Sequence, residues 1–120
     1  MDHKDGDTIK AAAADLHVTL DVLINCAGIK VRPLEWDAHG KDDLMERFQV
    51  MVVGPFLVAK DFLPSIQKDV TKKPIYIASK SGSIGAPDHD GEVIGYRMAK
   101  AAANQQVKTL LWTSSAIRFQ

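Results

Sequence analysis

Asp21-Val22-Leu23-Ile24-Asn25-Cys26-Ala27-Gly28 is a short apolar run that stops at a small-residue turn. It lacks polar alternation, and an uninterrupted run of this length predicts a strand buried on both faces, as in a parallel sheet. After a turn at Lys73-Pro74, Ile75-Tyr76-Ile77-Ala78-Ser79 predicts a second such strand. Upstream, the alanine-rich residues 8–17 predict a helix, with Asp5, Asp7 or Thr8 as its N-cap. A polar loop from Lys30 to about Lys41 follows the first strand. From Asp42 or Asp43 to about Gln67, a stripe of Leu44, Phe48, Met51, Val52, Phe56, Ala59 and Leu63 predicts a long helix, interrupted at Pro55. Ser81 to Glu92 is rich in Gly, Ser, Asp and Pro and reads as loop, and a last helix covers roughly Val93 to Leu111. Helix, strand, helix, strand, helix is the alternation of an α/β parallel sheet with crossover helices. Such sheets bind ligands at the carboxyl ends of their strands, which here are Asn25–Gly28 and Ser79.

The composition narrows the function classes. The 120 residues are 46% hydrophobic, and 15 basic side chains balance 15 acidic ones. That fits one soluble globular domain and leaves no basic excess for a nucleic-acid partner. No apolar run approaches the ~18 residues of a bilayer span, so no membrane partner is expected. The single cysteine, Cys26, cannot form an internal disulfide, and Met1-Asp2-His3-Lys4-Asp5 carries no apolar signal region. A cytoplasmic location is the expectation. His3, His17, His39 and His89 have no ligand spacing, so no metal site is expected and they read as surface or loop histidines. Asp88-His89-Asp90 reads as a solvated loop, and Asp42, Asp43 and Glu46 as charges suited to a helix N-terminus. Trp36 and Trp112 read as packing residues, and Cys26 as a buried, inert thiol.

Tyr96 and Lys100 lie four apart on the last predicted helix and project from one face. A tyrosine hydroxyl, with an ordinary pKa of about 10, is a poor acid or base at neutral pH. A nearby ammonium favours the phenolate and moves the group toward useful proton transfer. Ser79, at the end of the preceding strand, can donate to a substrate carbonyl or alkoxide. The three residue types together suit carbonyl/alcohol chemistry.

Four segments occur in order: Leu20–Ile29, Phe48–Phe56 (Phe-Gln-Val-Met-Val-Val-Gly-Pro-Phe), Ile77–Gly85 (Ile-Ala-Ser-Lys-Ser-Gly-Ser-Ile-Gly) and Tyr96–Ala102 (Tyr-Arg-Met-Ala-Lys-Ala-Ala). In this register, over about residues 1–110, the chain resembles the short-chain dehydrogenase/reductase family, in particular its C-factor and sniffer-like carbonyl reductases. The resemblance implies a partial Rossmann-type doubly wound parallel sheet, about two strands and three helices of the full fold. It implies NAD or NADP as cofactor and a small carbonyl or alcohol as substrate. Ser79 becomes the substrate-orienting serine, with Ser83 as a second candidate, and Tyr96 the proton donor or acceptor. Lys100 would hold the nicotinamide ribose and lower the tyrosine pKa. Asn25, Ala27 and Gly28 fall in the segment that lies against the cofactor, and Asp2 aligns with an adenine-contacting Asp. Subunit contact through the helices near 43–67 and 93–111 is likewise implied.

The chain departs from the family pattern at three places. Cys26 and Ala78 replace an Asn and a Ser, and Met51 stands where the family has an Asn that helps hold a relay water. Methionine has no strong hydrogen-bonding group in its side chain. Pro55 has no N–H to give the Met51 carbonyl, however, so that carbonyl is free to bind water. No glycine-rich turn precedes the motifs, and Leu111–Gln120 does not continue into the family's next strand. Residues 1–120 therefore read as an incomplete NAD(P)-binding domain without its N-terminal glycine-rich unit and C-terminal strands, expected to be inactive alone. Two functions stay open: an NAD(P)-dependent oxidoreductase acting on CH–OH groups, or a non-catalytic truncated relative serving as an interaction fragment.

Overall fold

The computed structural model describes residues 1–29, 35–66, 73–85 and 93–113. Asp5 is the N-cap of α1 (Gly6–Ala14), its carboxylate accepting the N–H groups of Asp7 and Thr8. The helix therefore starts two residues earlier than the alanine run suggests, because the cap satisfies donors that a start at Thr8 would leave open. Strand β1 (Val22–Asn25) follows, then a single turn of tight helix at Trp36–Ala38 and α2 (Lys41–Phe48). The chain continues through a π-helical segment, Gln49–Val53, into α3 (Gly54–Phe62) and a short turn at Leu63–Ser65. Strand β2 (Lys73–Tyr76), a tight turn at Lys80–Gly82 and α4 (Ile94–Thr113) complete it.

The long helix predicted over 42–67 is thus one helical stretch with an internal change of pitch. Pro55 offers no N–H to the Met51 carbonyl, and the Gly54 N–H instead reaches back five residues to Gln49. The wider turn rotates the apolar face. Met51, Val52 and Ala59 of the predicted stripe are buried, but Val50 and Val58 join them while Phe48 and Phe56 remain exposed.

The two strands pair in parallel, Val22 opposite Lys73 and Asn25 opposite Tyr76. The Ile77 N–H extends the ladder to the Asn25 carbonyl at 2.9 Å. The expected α/β order and parallel sheet are observed, but the strands are not buried on both faces. Leu23, Asn25, Pro74 and Tyr76 turn toward the helices and are buried or half-buried. Val22 (49% exposed), Ile24 (58%) and Ile77 (48%) lie on the other face, bare among the described residues. Cys26 follows the same alternation outward and is exposed, which corrects its reading as a buried thiol. Trp36 is also exposed rather than packed.

The core lies between the helices, where Val50, Met51 and Val52 meet Ala99 of α4, with Ile29, Tyr96 and Ala102 around them. Gly82 brings the turn after β2 onto α4. A Cβ there would stand 2.8 Å from the Lys100 carbonyl carbon and 2.6 Å from Asn104 Nδ2, so only glycine permits this approach.

Candidate active site

The carboxyl ends of β1 and β2 meet the middle of α4. Lys100 is 8% exposed, and its Nζ donates to the Ile77 carbonyl at 2.9 Å, just past the end of β2. The same ammonium lies 5.8 Å from the centroid of the Tyr96 ring, at the outer limit of a cation–π contact. The i,i+4 spacing read from the sequence thus brings Tyr96 and Lys100 together. Lys100 is further anchored by a backbone carbonyl that no sequence pattern specifies.

Ser79 sits three residues beyond β2, because the strand ends at Tyr76, with one further ladder bond from the Ile77 N–H, rather than continuing to 79. It caps the Lys80–Gly82 turn, its Oγ accepting the Ser81 N–H at 3.2 Å. Ser83, the second candidate, follows that turn and is exposed.

A cavity of about 300 Å³ opens beside Lys100, with Asn25, Ala27, Met51, Tyr76 and Ile77 among its walls. Neither Tyr96 nor Ser79 is among the residues lining this cavity, so of the three candidate catalytic residues only Lys100 borders it. Met51 contributes a buried side chain here. Burial pushes the Tyr76 hydroxyl up to about 12, and the neighbouring Asn25 side chain works weakly against that shift. The Asn25 amide nitrogen is itself buried and makes no hydrogen bond of good geometry. Ala27 is half-buried, while Gly28 is exposed, with open space where a Cβ would stand. Asp2, at the opposite end of the molecule's chain order, accepts the Lys4 N–H.

The sequence reading missed the cluster formed by α2 and His39, just ahead of it. The His39 side chain is buried, not at the surface, with Nδ1 on the Asp43 carboxylate. Arg47, 2% exposed, holds the same carboxylate from the next turn, Nη2 to Oδ1 at 2.7 Å. The hydrogen bond to His39 is the largest single influence holding the Asp43 carboxyl below the usual carboxylate range; Arg47 acts in the same direction, and burial opposes both. The i, i+4, i+8 spacing of His39, Asp43 and Arg47 was the available signal. Among the described residues no group of His, Cys, Asp and Glu is placed to hold a metal ion. No described helix is long and apolar enough to cross a membrane. Asp88-His89-Asp90 and the side chain of Trp112 lie outside the described residues.

A parallel sheet with crossover helices packed on one face and polar residues at its strand ends defines an α/β protein of the Rossmann type. The family model for short chain dehydrogenase matches residues 1–114, and the chain belongs to that family. It is 33% identical over 94 residues to the C-signal protein of Myxococcus xanthus, covering 76% of this chain and 54% of that one. It is similar to the NADPH-bound carbonyl reductase from chicken fatty liver, with TM-score 0.83 and 29% identity over 94% of this chain and 50% of the other. The carbonyl reductase Sniffer of D. melanogaster gives TM-score 0.81 and 28% identity over 94% and 53%. The chain spans about half the length of these relatives.

Proposed function

We propose that this chain supplies the proton-transfer half of an NAD(P)-dependent oxidoreductase that interconverts a small carbonyl and its alcohol. The observation that carries the reading is Lys100. It is buried, tied to the Ile77 carbonyl by one of its three N–H groups, and set over the Tyr96 ring. That leaves two ammonium protons for the hydroxyls of a nicotinamide ribose, and the space beside Gly28 leaves room for an approaching cofactor. The residues present therefore fit the ribose end of NADP or NAD. When bound, the cofactor supplies the hydride. Tyr96 gives its phenolic proton to the carbonyl oxygen or takes it from the alcohol. Lys100 orients the ribose. Ser79 orients the substrate oxygen through its own O–H, and Asn25, Ala27 and Gly28 line the cofactor's flank. Met51 contributes its carbonyl, not its side chain, to holding water near Lys100.

Domain and assembly belong to the same reading. Residues 1–120 form an incomplete cofactor-binding domain, and Met45, Phe48, Phe56 and Met98 leave α2, α3 and α4 with exposed apolar side chains suited to self-association. The bare Val22, Ile24 and Ile77 face supports the second reading, a non-catalytic interaction fragment.

The test is a chimaera in which residues 1–110 replace the matching half of the chicken carbonyl reductase. It should bind NADPH and reduce a small carbonyl, and Tyr96→Phe should lower turnover by about 10²–10⁴-fold. A folded chimaera that binds NADPH and shows no turnover overturns the oxidoreductase reading. The 120-residue chain alone should show no saturable nucleotide fluorescence change at micromolar NADPH or NADH.

A further inference from the structure

We propose that Arg47 is a positioning residue for Tyr96, its buried guanidinium fixing where the first turn of α4 crosses α2. The functional meaning of this rests on Tyr96 as the proton donor, whereas the geometry behind it is independent of that reading.

Arg47 is almost fully buried and bound to Asp43 at two points, Nη2 to Oδ1 at 2.7 Å and Nε to Oδ2 at 3.3 Å. His39 Nδ1 meets the same carboxylate from the preceding turn, so the acceptor is itself held in place. A guanidinium held at two points presents a flat and immobile surface, which a flexible ammonium or an aliphatic chain does not. Gly95 rests on that surface. A Cβ at Gly95 would come within 3.0 Å of Arg47 Cδ and 3.1 Å of Nε, and within 2.9 Å of Leu44 Cδ2. The α4 backbone therefore sits directly on Arg47, one residue before Tyr96.

The same turn is constrained from its other side. Val93 has φ +63°, a left-handed conformation that a β-branched residue adopts only when its surroundings impose it. Its carbonyl accepts the Arg97 N–H at 3.1 Å and so opens the helix. A buried ion pair is a poor route to stability by itself, since apolar residues of similar volume often do as well. What the Arg47–Asp43 pair provides here is a fixed height for the turn carrying Tyr96. Proton transfer needs heavy atoms within hydrogen-bond reach, and a misplacement of about 1 Å costs on the order of 100-fold in rate.

The chain has two tyrosines, Tyr76 and Tyr96. Labelling with 3-fluorotyrosine gives two fluorine resonances, assigned with Tyr76→Phe. Three variants are compared with the native chain: Arg47→Lys keeps the charge and loses the fork, Asp43→Asn weakens the anchor, and Arg47→Leu removes both charge and fork. The Tyr96 resonance should shift in all three, most in Arg47→Leu, while Tyr76 stays in place. If Arg47→Leu does not fold, the two milder variants decide. A Tyr96 resonance unmoved in Arg47→Lys and Asp43→Asn, with a lowered melting temperature, makes Arg47 a stability residue only and overturns the proposal. Failure of the oxidoreductase reading would show instead as an NADPH-binding chimaera without turnover, and would leave this result unchanged.

Discussion

The two faces of the β1–β2 sheet draw on the same aliphatic vocabulary and end in opposite conditions. Asn25 and Pro74 are buried on the face toward α3 and α4, while Val22, Ile24, Ile75 and Ile77 stand exposed on the other. Parallel sheets are ordinarily covered on both sides, because crossover helices fall on both. Here the helices that carry the candidate site lie on one side, which is closely packed around Met51 and Ala99 and opens into a cavity beside Lys100. The Met51, Val52 and Ala99 core and the close crossings at Gly82 and Gly95 allow little adjustment. The chemistry-bearing face is thus a rigid layer, and the opposite face contributes little to the stability of the described residues.

This contrast predicts very different mutational costs. Met51→Ala should be the most damaging, lowering stability by about 2–5 kcal/mol in urea denaturation, because it opens a cavity where α2, α3 and α4 meet. A smaller loss would mean that the helical layer relaxes around the gap and is less rigid than its packing implies.

The helical layer was only partly legible in the sequence. Element order, the parallel pairing and the Tyr96–Lys100 spacing follow from local patterns, since hydrophobic runs and i,i+4 relations are set within one element. The π-helical turn was half visible. Pro55 marks the lost hydrogen bond, but whether the chain breaks, kinks or widens there is decided by packing against α4. The burial of Arg47 was not legible, because it depends on Gly95 letting α4 approach closely. The one-sided burial of Ile24 and Ile77 was misread for the converse reason. An apolar run shows that a strand is suited to burial and carries no information about what covers it.

The second-largest effect is alkaline. Burial raises the Tyr76 hydroxyl to about 12 from an ordinary value of 10.0. The folded state therefore holds this proton more tightly than the unfolded chain. Its contribution is complete below pH 10 and is lost as pH rises from there through the folded value. Partial exposure reduces the effect to on the order of 1 kcal/mol. Tyr76→Phe should flatten the fall in stability above pH 10, and an unchanged slope would place the hydroxyl in solvent.

On the acid side the sign reverses. His39 and Arg47 hold the Asp43 carboxyl below its ordinary value of 3.8, so its contribution is present above that pH and fades as pH falls through the lower folded value. Asp43→Asn should remove the pH dependence of this step below about pH 4, read from urea midpoints across the acid range. His39→Ala should shift the onset upward, since the hydrogen bond to His39 is the largest single influence lowering this carboxyl.

The smallest effect belongs to the bare face. Ile24→Thr and Ile77→Thr keep β-branching and strand preference while exchanging a methyl-bearing arm for a hydroxyl, and both side chains are about half exposed. Each should change stability by no more than about 0.5 kcal/mol, the ordinary range for surface substitutions. A cost near that of Met51→Ala would show that something covers this face in solution. The double variant then separates the two sources. If its loss of stability grows with protein concentration, a second copy covers the face, and if it does not, the cover comes from within one chain.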